Sequence, residues 1–122
     1  MKKILIIEDN FYIVSKILNK LDSLTQNNGS ANLITVIPTL EEANQLTYIK
    51  YDILLIDHDL PDGRGTFFLL SHKNNFKNIL AISSLPENNH RLLKYGAHDA
   101  INKMDKHFLD KLEIWINKYL KD

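Results

Sequence analysis

Residues 52–65 read DILLIDHDLPDGRG. Four apolar residues, Ile53 to Ile56, run straight into Asp57, and two more acids, Asp59 and Asp62, follow within five positions. An unbroken Ile/Leu run suits a strand buried on both faces, whereas a half-exposed strand would alternate apolar and polar residues. Burial on both faces is the condition of a strand inside a parallel sheet. In open sheets of that kind, ligands bind beyond the carboxyl ends of the strands, and Asp57 stands at such an end.

The rest of the chain repeats the pattern. Ile4 to Ile7, residues 33–37 (LITVI) and residues 79–82 (ILAI) are further short apolar runs, and Ala100 to Asn102 make a weak fifth strand. Helical periodicity fills the gaps between them. Phe11, Val14, Ile17, Leu18, Leu21 and Leu24 recur at three- and four-residue spacing. Shorter helices are predicted over 40–49, 66–73 and 87–95, the last stopping at Gly96. A final helix over 105–121 carries Phe108, Leu109, Leu112, Trp115, Ile116, Tyr119 and Leu120 on one broad stripe, with Ile114 exposed opposite it. The stretch TQNNGSAN at 25–32 reads as a polar surface loop or an extended helix end, without chemistry. Strand and helix thus alternate five times, which implies an α/β, doubly wound (βα)5 fold with helices on both faces of a parallel sheet.

Composition sets bounds on function. The 122 residues are expected to form one domain, 1–122, with no output domain. There are no cysteines, which excludes a disulfide framework and any thiolate metal site. Fifteen Lys plus Arg balance fifteen Asp plus Glu, which argues against a general nucleic-acid or anionic-membrane binder. No apolar run approaches the ~20 residues of a membrane span. The start, MKKILIIEDN, turns acidic too early for a signal peptide. A cytoplasmic protein is expected. His58, His72, His90, His98 and His107 show no i, i+4 pairing, which argues against a zinc site, and His58 reads as an exposed loop residue.

The ends of the strands carry the chemistry. The first ends in Glu8 and Asp9, the third in Asp57 with Asp59 behind it, the fourth in Ser83 and Ser84, and the fifth in Lys103. Taken singly, each has an ordinary explanation as a cap, a turn or a solvated charge. Together they gather acids, a hydroxyl and an ammonium at one edge. Clustered carboxylates repel, so the arrangement calls for a cation. Oxygen-only ligands, few in number, suit Mg²⁺ shared with a phosphate. A carboxylate in such a site can act as a nucleophile toward phosphorus, with Lys and hydroxyl groups holding the phosphoryl oxygens.

In order and spacing these residues resemble the response-regulator receiver domains of two-component signalling, along nearly the whole chain. Glu8 and Asp9 match the family's acidic pair. Asp57, Pro61 and Gly65 meet its D-x-x-x-P-x-x-x-G pattern, Ser83 its switch hydroxyl, Ser84 the small residue after it, and Lys103 its lysine. The resemblance implies a flavodoxin-like sheet in the order 2-1-3-4-5 and Asp57 as phosphoacceptor, with Lys103 and Ser83 assisting. It also implies a Mg²⁺ site made by Glu8 (through water), Asp9, Asp57 and the carbonyl of Asp59. The implied partners are a sensor histidine kinase or histidine phosphotransfer protein and a downstream protein target, with the chain a monomer or weak dimer and no enzyme in its own right.

Three departures bear on switching more than on phosphorylation. Met104 replaces the proline that usually follows the lysine, so a trans bond is expected there. Ala100 replaces the usual switch aromatic, and the segment from Ser83 to Gly96 is about two residues short and contains Pro86. Two other functions fit parts of the pattern. DHDLPDG loosely resembles the DxD motif of haloacid-dehalogenase-like phosphohydrolases, but on the third strand rather than the first. A receiver-like binding module that is not phosphorylated is the other.

Overall fold

The computed structural model describes residues 1–28, 31–46 and 49–120. Five parallel strands form its sheet: β1 (Lys2–Ile7), β2 (Asn32–Ile37), β3 (Tyr51–Ile56), β4 (Phe76–Ala81) and β5 (Asp99–Ala100). They lie in the order β2-β1-β3-β4-β5, the doubly wound arrangement expected. A two-residue antiparallel ladder, Asp59–Leu60 against Gly63–Arg64, stands apart from the sheet. The helices are α1 (Phe11–Asn28), α2 (Leu40–Gln45), α3 (Gly65–His72), α4 (Pro86–Lys94) and α5 (Phe108–Leu120).

The apolar runs explain the layering. Successive strand residues point to opposite faces, so an unbroken run supplies two cores at once. Ile4 and Ile6, Ile53 and Leu55, and Leu80 face α1 and α5, where Ile17, Leu21, Leu112 and Ile116 complete a buried cluster. Leu5 and Ile7, Leu54 and Ile56, and Ile79 and Ala81 face the other way, against Ala43 of α2, Phe68 and Leu69 of α3, and Leu92 of α4. Each fully buried Ile or Leu contributes about 1.5–3 kcal/mol. Ile114 stays outside both clusters and is exposed, as its place on α5 suggested.

Several boundaries differ from the sequence reading, by one or two residues at β1, β2, β3, α3 and α4 and in instructive ways elsewhere. α2 ends at Gln45, with Leu46 as its cap, instead of running to 49; residues 47–48 lie outside the described residues. β4 begins at Phe76, paired with Tyr51, and β5 sits at Asp99–Ala100 instead of 100–102, held by pairing with Leu80 and Ala81. α5 begins at Phe108 and not at 105, because Asp105 accepts the His107 N–H on its side chain and forms a turn first. Its expected end at 121 lies outside the described residues. α1 runs through Asn28, so the first part of 25–32 is a helix end; residues 29–30 are not described.

α4 stops where Gly96 predicted. The Ala97 N–H reaches Leu92 O at 2.9 Å and the Gly96 N–H reaches Leu93 O at 3.4 Å, a Schellman closure. Gly96 sits at φ +132°, a conformation that side chains resist.

Candidate functional site

Beyond each central strand the backbone adds one more hydrogen bond, and these bonds fix the site. Glu8 N–H donates to Ile37 O at 3.1 Å, Asp57 N–H to Ile7 O at 3.0 Å, and Ile82 N–H to Ile56 O at 3.0 Å. Glu8, Asp57 and Ser83 are therefore delivered to one edge by the sheet itself. Gly65 explains the tight chain path after Asp57. A Cβ added there would lie 2.3 Å from the Asp57 carbonyl oxygen, so no side chain fits. The Gly65 N–H closes the loop on His58 O at 2.7 Å.

Lys103 binds both buried acids. Its Nζ lies 2.7 Å from Glu8 Oε1 and 3.0 Å from Asp57 Oδ2. The second Glu8 oxygen, Oε2, accepts the Asp9 N–H at 3.0 Å and the Asn10 N–H at 3.3 Å. Glu8 is fully buried, Asp57 nearly so, and Asp9 is exposed. Burial pushes the Glu8 carboxyl up from 4.5 to about 7, against the Lys103 hydrogen bond that pulls it down. Burial alone would lower Lys103, but the Glu8 hydrogen bond and the charges of Asp57 and Glu8 outweigh it and raise the ammonium. The Asn102 side chain holds the Lys103 loop, donating to Ser84 O at 3.2 Å and accepting from Met104 N–H at 2.8 Å. No cis peptide bond occurs among the described residues, so Lys103–Met104 is trans as expected.

Carboxylate oxygens of Glu8, Asp9 and Asp57 lie within 4.8 Å of one another, the only group of metal-ligating side chains found among the described residues. Three carboxylates against one ammonium leave two negative charges when all are ionised, which complements a divalent cation. The donors are all oxygens, and the open side at Asp9 leaves room for water. Both features fit Mg²⁺.

Other acids of the opening stretch are used differently. The Asp59 carboxylate takes no part in that cluster: it meets His58 Nδ1 at 2.9 Å and Asn88 Nδ2 at 3.3 Å. Asp62 caps α2 from a distance, accepting Leu40 N–H at 2.8 Å and Glu41 N–H at 2.9 Å. Those backbone donors hold its carboxyl below the usual range. His58 is not the exposed loop residue expected: it is 3% exposed, because its ring turns under the Asp59 carboxylate.

Ser83 is buried, and α4 clamps it. Asn89 Oδ1 accepts the Ser83 N–H at 2.8 Å, Asn89 Nδ2 donates to Ser83 O at 3.0 Å, and Ser83 Oγ accepts from Leu85 N–H at 3.2 Å. Asn88 and Asn89 were missed in the sequence. The available signal was two adjacent Asn residues in the first turns of a helix, where Asn is disfavoured unless its side chain is used. Ala100, at the position of the usual aromatic, packs at the edge of the second core.

No protein-family model and no curated protein matches the sequence. Solved structures do match in three dimensions. A CheY-like response regulator receiver domain protein from Methanospirillum hungatei JF-1 superposes with a TM-score of 0.79 at 21% identity, covering 98% of this chain and 94% of that one. A two-component response regulator from Clostridium difficile gives 0.80 at 22% identity, covering 98% and 96%. The Mn²⁺-bound form of response regulator Rcp1 gives 0.83 at 14% identity, covering 99% and 96%. The fold is that of CheY-like receiver domains, over nearly the full chain. Among the described residues no helix is long and apolar enough to cross a membrane.

Proposed function

We propose that this chain, folded as CheY-like receiver domains are, accepts a phosphoryl group on Asp57 and works as a signalling switch. One observation carries the reading: Lys103 bridges two nearly water-free carboxylates, Glu8 and Asp57, at the carboxyl edge of the sheet. A partly buried ammonium at 3.0 Å from Asp57 Oδ2 is well placed to hold a phosphoryl oxygen once that carboxylate is modified. A carboxylate oxygen of Asp57 attacks phosphorus, the phosphorus–nitrogen bond of a phosphohistidine donor breaks, and the freed imidazole takes up a proton. An acyl phosphate results. Hydrolysis of that bond by water returns Asp57 and inorganic phosphate.

Asp9 and Asp57, with the Asp59 carbonyl, would hold Mg²⁺ and Glu8 would act through water; bound there, the ion would neutralise phosphoryl charge. Glu8 orients Lys103 and keeps it charged. The Ser83 hydroxyl gives up Leu85 N–H and turns to donate to a phosphoryl oxygen. The donor protein, a sensor histidine kinase or histidine phosphotransfer protein, docks beside this edge, where Phe11, Tyr12 and Met104 are all exposed. Tyr12 and Met104 line a cavity of about 420 Å³ that Lys103 also lines. The location is cytoplasmic, and residues 1–122 work as one unit, a monomer or weak dimer. The unit is not an enzyme acting on other molecules: it signals by binding a downstream protein or by passing the phosphoryl group on.

The test is incubation with acetyl phosphate and Mg²⁺, read by intact mass, for wild type and Asp57→Asn. The reading expects one added phosphoryl group on wild type and none on the variant. An unmodified wild type would favour the non-phosphorylated binding module, and modification of both proteins at equal yield would move the acceptor elsewhere.

A further inference from the structure

A second cavity, about 260 Å³, opens between α3 and α4. Arg64 and Arg91 line it, and Phe67, Leu70 and Tyr95 give it apolar walls. Phe67 and Leu70, three residues apart on α3, are 65% and 61% exposed, and Tyr95 at the end of α4 is exposed too. Between them in the sequence, Phe68 and Leu69 fill the second core. The outward face of a surface helix is ordinarily polar, so the folding of this chain does not account for the exposed pair.

Charge on this face is one-sided. Arg64 and Arg91 are the only arginines in a chain with thirteen lysines, and both stand here. Residues 63–75 and 85–98, the two helices with their ends, hold four cations (Arg64, Lys73, Arg91 and Lys94) against one acid, Glu87, in a chain of zero net charge. Several lysines elsewhere meet acids: Lys20 meets Glu113, Lys77 meets Asp52, and Lys111 meets Asp105. Among the described residues neither arginine does. Arg91 donates to the neutral Asn88 Oδ1 at 2.6 Å. Asp59, opposite Arg64 in the two-residue ladder, meets His58 and Asn88 instead. Two guanidinium groups, whose planar forks match carboxylates, thus flank an apolar trough without a carboxylate to bind.

We propose that the α3–α4 groove docks an acidic amphipathic helix of a partner protein. Leu or Phe side chains of that helix, spaced i, i+3 or i+4, enter the cavity against Phe67, Leu70 and Tyr95. Its Glu or Asp side chains pair with Arg64 and Arg91. A trough between two helices suits a third, anchored by residues at that spacing. The residue types also fit a protein partner, because interfaces enrich arginine and aromatic side chains and deplete lysine. A lipid surface calls for apolar groups that protrude, whereas these line a cavity. α3 and α4 are eight and nine residues long, which limits the contact to about three turns and places the complex among small, transient ones. Docking uses this face alone and does not require a modified Asp57.

The experiment is an NMR titration of the unmodified full chain with a synthetic helical peptide of about fourteen residues, nearly four turns. Leu and Phe occupy one face of the peptide and Glu the other. One control peptide replaces every Glu by Lys, and a second replaces Leu and Phe by Ala. Saturable shifts are expected at the amides of 64–70 and 91–95 with the acidic peptide only. Vesicles of phosphatidylserine and phosphatidylcholine should leave those amides unchanged. Phe67→Ala should weaken the peptide about tenfold, as loss of an aromatic anchor does. Arg64→Glu should weaken it about fivefold. Both positions are exposed, so both variants keep the fold. Any one of five results overturns the proposal: no saturable shift, shifts centred on Phe11, Tyr12 and Met104, equal binding of either control peptide, an unaltered affinity in either variant, or the same amides shifted by vesicles.

Discussion

Raising the pH from about 4 to about 8 should remove a stabilising contribution of Glu8. Burial lifts its carboxyl from 4.5 to about 7 in the folded chain. Between those values the native state keeps a proton that the unfolded chain has released. More protons on the native state means that stability falls as pH rises. The loss starts near 4.5, grows through the interval and levels off above about 7. At about 1.4 kcal/mol per pH unit, the interval amounts to about 3 kcal/mol. Asp52, Asp62 and Asp105 are held below 3.8, so their contributions disappear only at lower pH, beneath this window. Lys103 is raised above 10.5, and its contribution is lost only above the window. Urea unfolding at several pH values, for wild type and Glu8→Gln without divalent cation, isolates the effect. Wild type should lose about 3 kcal/mol relative to the variant across the window. Adding Mg²⁺ should shrink that loss, because a nearby cation favours the ionised carboxyl. Parallel curves for the two proteins would refute the assignment of a buried, proton-retaining Glu8.

Gly65→Ala should cost about 2–3 kcal/mol, since its methyl would meet backbone that cannot rotate away. At this chain length that is a melting temperature lower by roughly 10 °C, measured by calorimetry. Asp9→Ala should abolish measurable Mg²⁺ binding in titration calorimetry while leaving thermal stability close to wild type, because Asp9 is exposed. Beryllofluoride with Mg²⁺ should shift the amides of 83–90 and Lys103 most, and those of α5 least. Ser83 must break from Leu85, its Asn89 clamp transmits the change to α4, and Ala100 offers no ring to carry it further.

Much of the fold was legible because buried parallel strands cannot alternate. The runs at Ile4 to Ile7 and Ile53 to Ile56 have no other use than two opposite cores, and both serve them. The edge strand β5 was harder, since two residues carry no periodicity and only pairing with Leu80 and Ala81 sets its register. Site residues near strand ends were readable from topology: Glu8 and Asp57 stand next after β1 and β3, and Lys103 reaches them from the loop after β5. What the sequence hid were polar groups used away from that edge. His58 looked exposed because polar neighbours surround it in the sequence, yet its ring is buried and meets the Asp59 carboxylate, which Asn88 also holds. Asp62 had no role assigned from the sequence, and it faces the free N–H groups of α2. Both depend on side-chain directions in a loop, and no spacing rule encodes them.

The central claim is that Asp57 carries the phosphoryl group, and the most direct measurement locates the modification chemically. Wild type is treated with acetyl phosphate and Mg²⁺, reduced with borohydride, which converts an aspartyl phosphate to homoserine, and mapped by peptide mass spectrometry. Homoserine at position 57, and at none of Glu8, Asp9 or Asp59 in altered form, is the result the geometry of Lys103 and Asp57 predicts. An unreduced Asp57 beside a phosphorylated residue elsewhere, or no modified peptide at all, would contradict it.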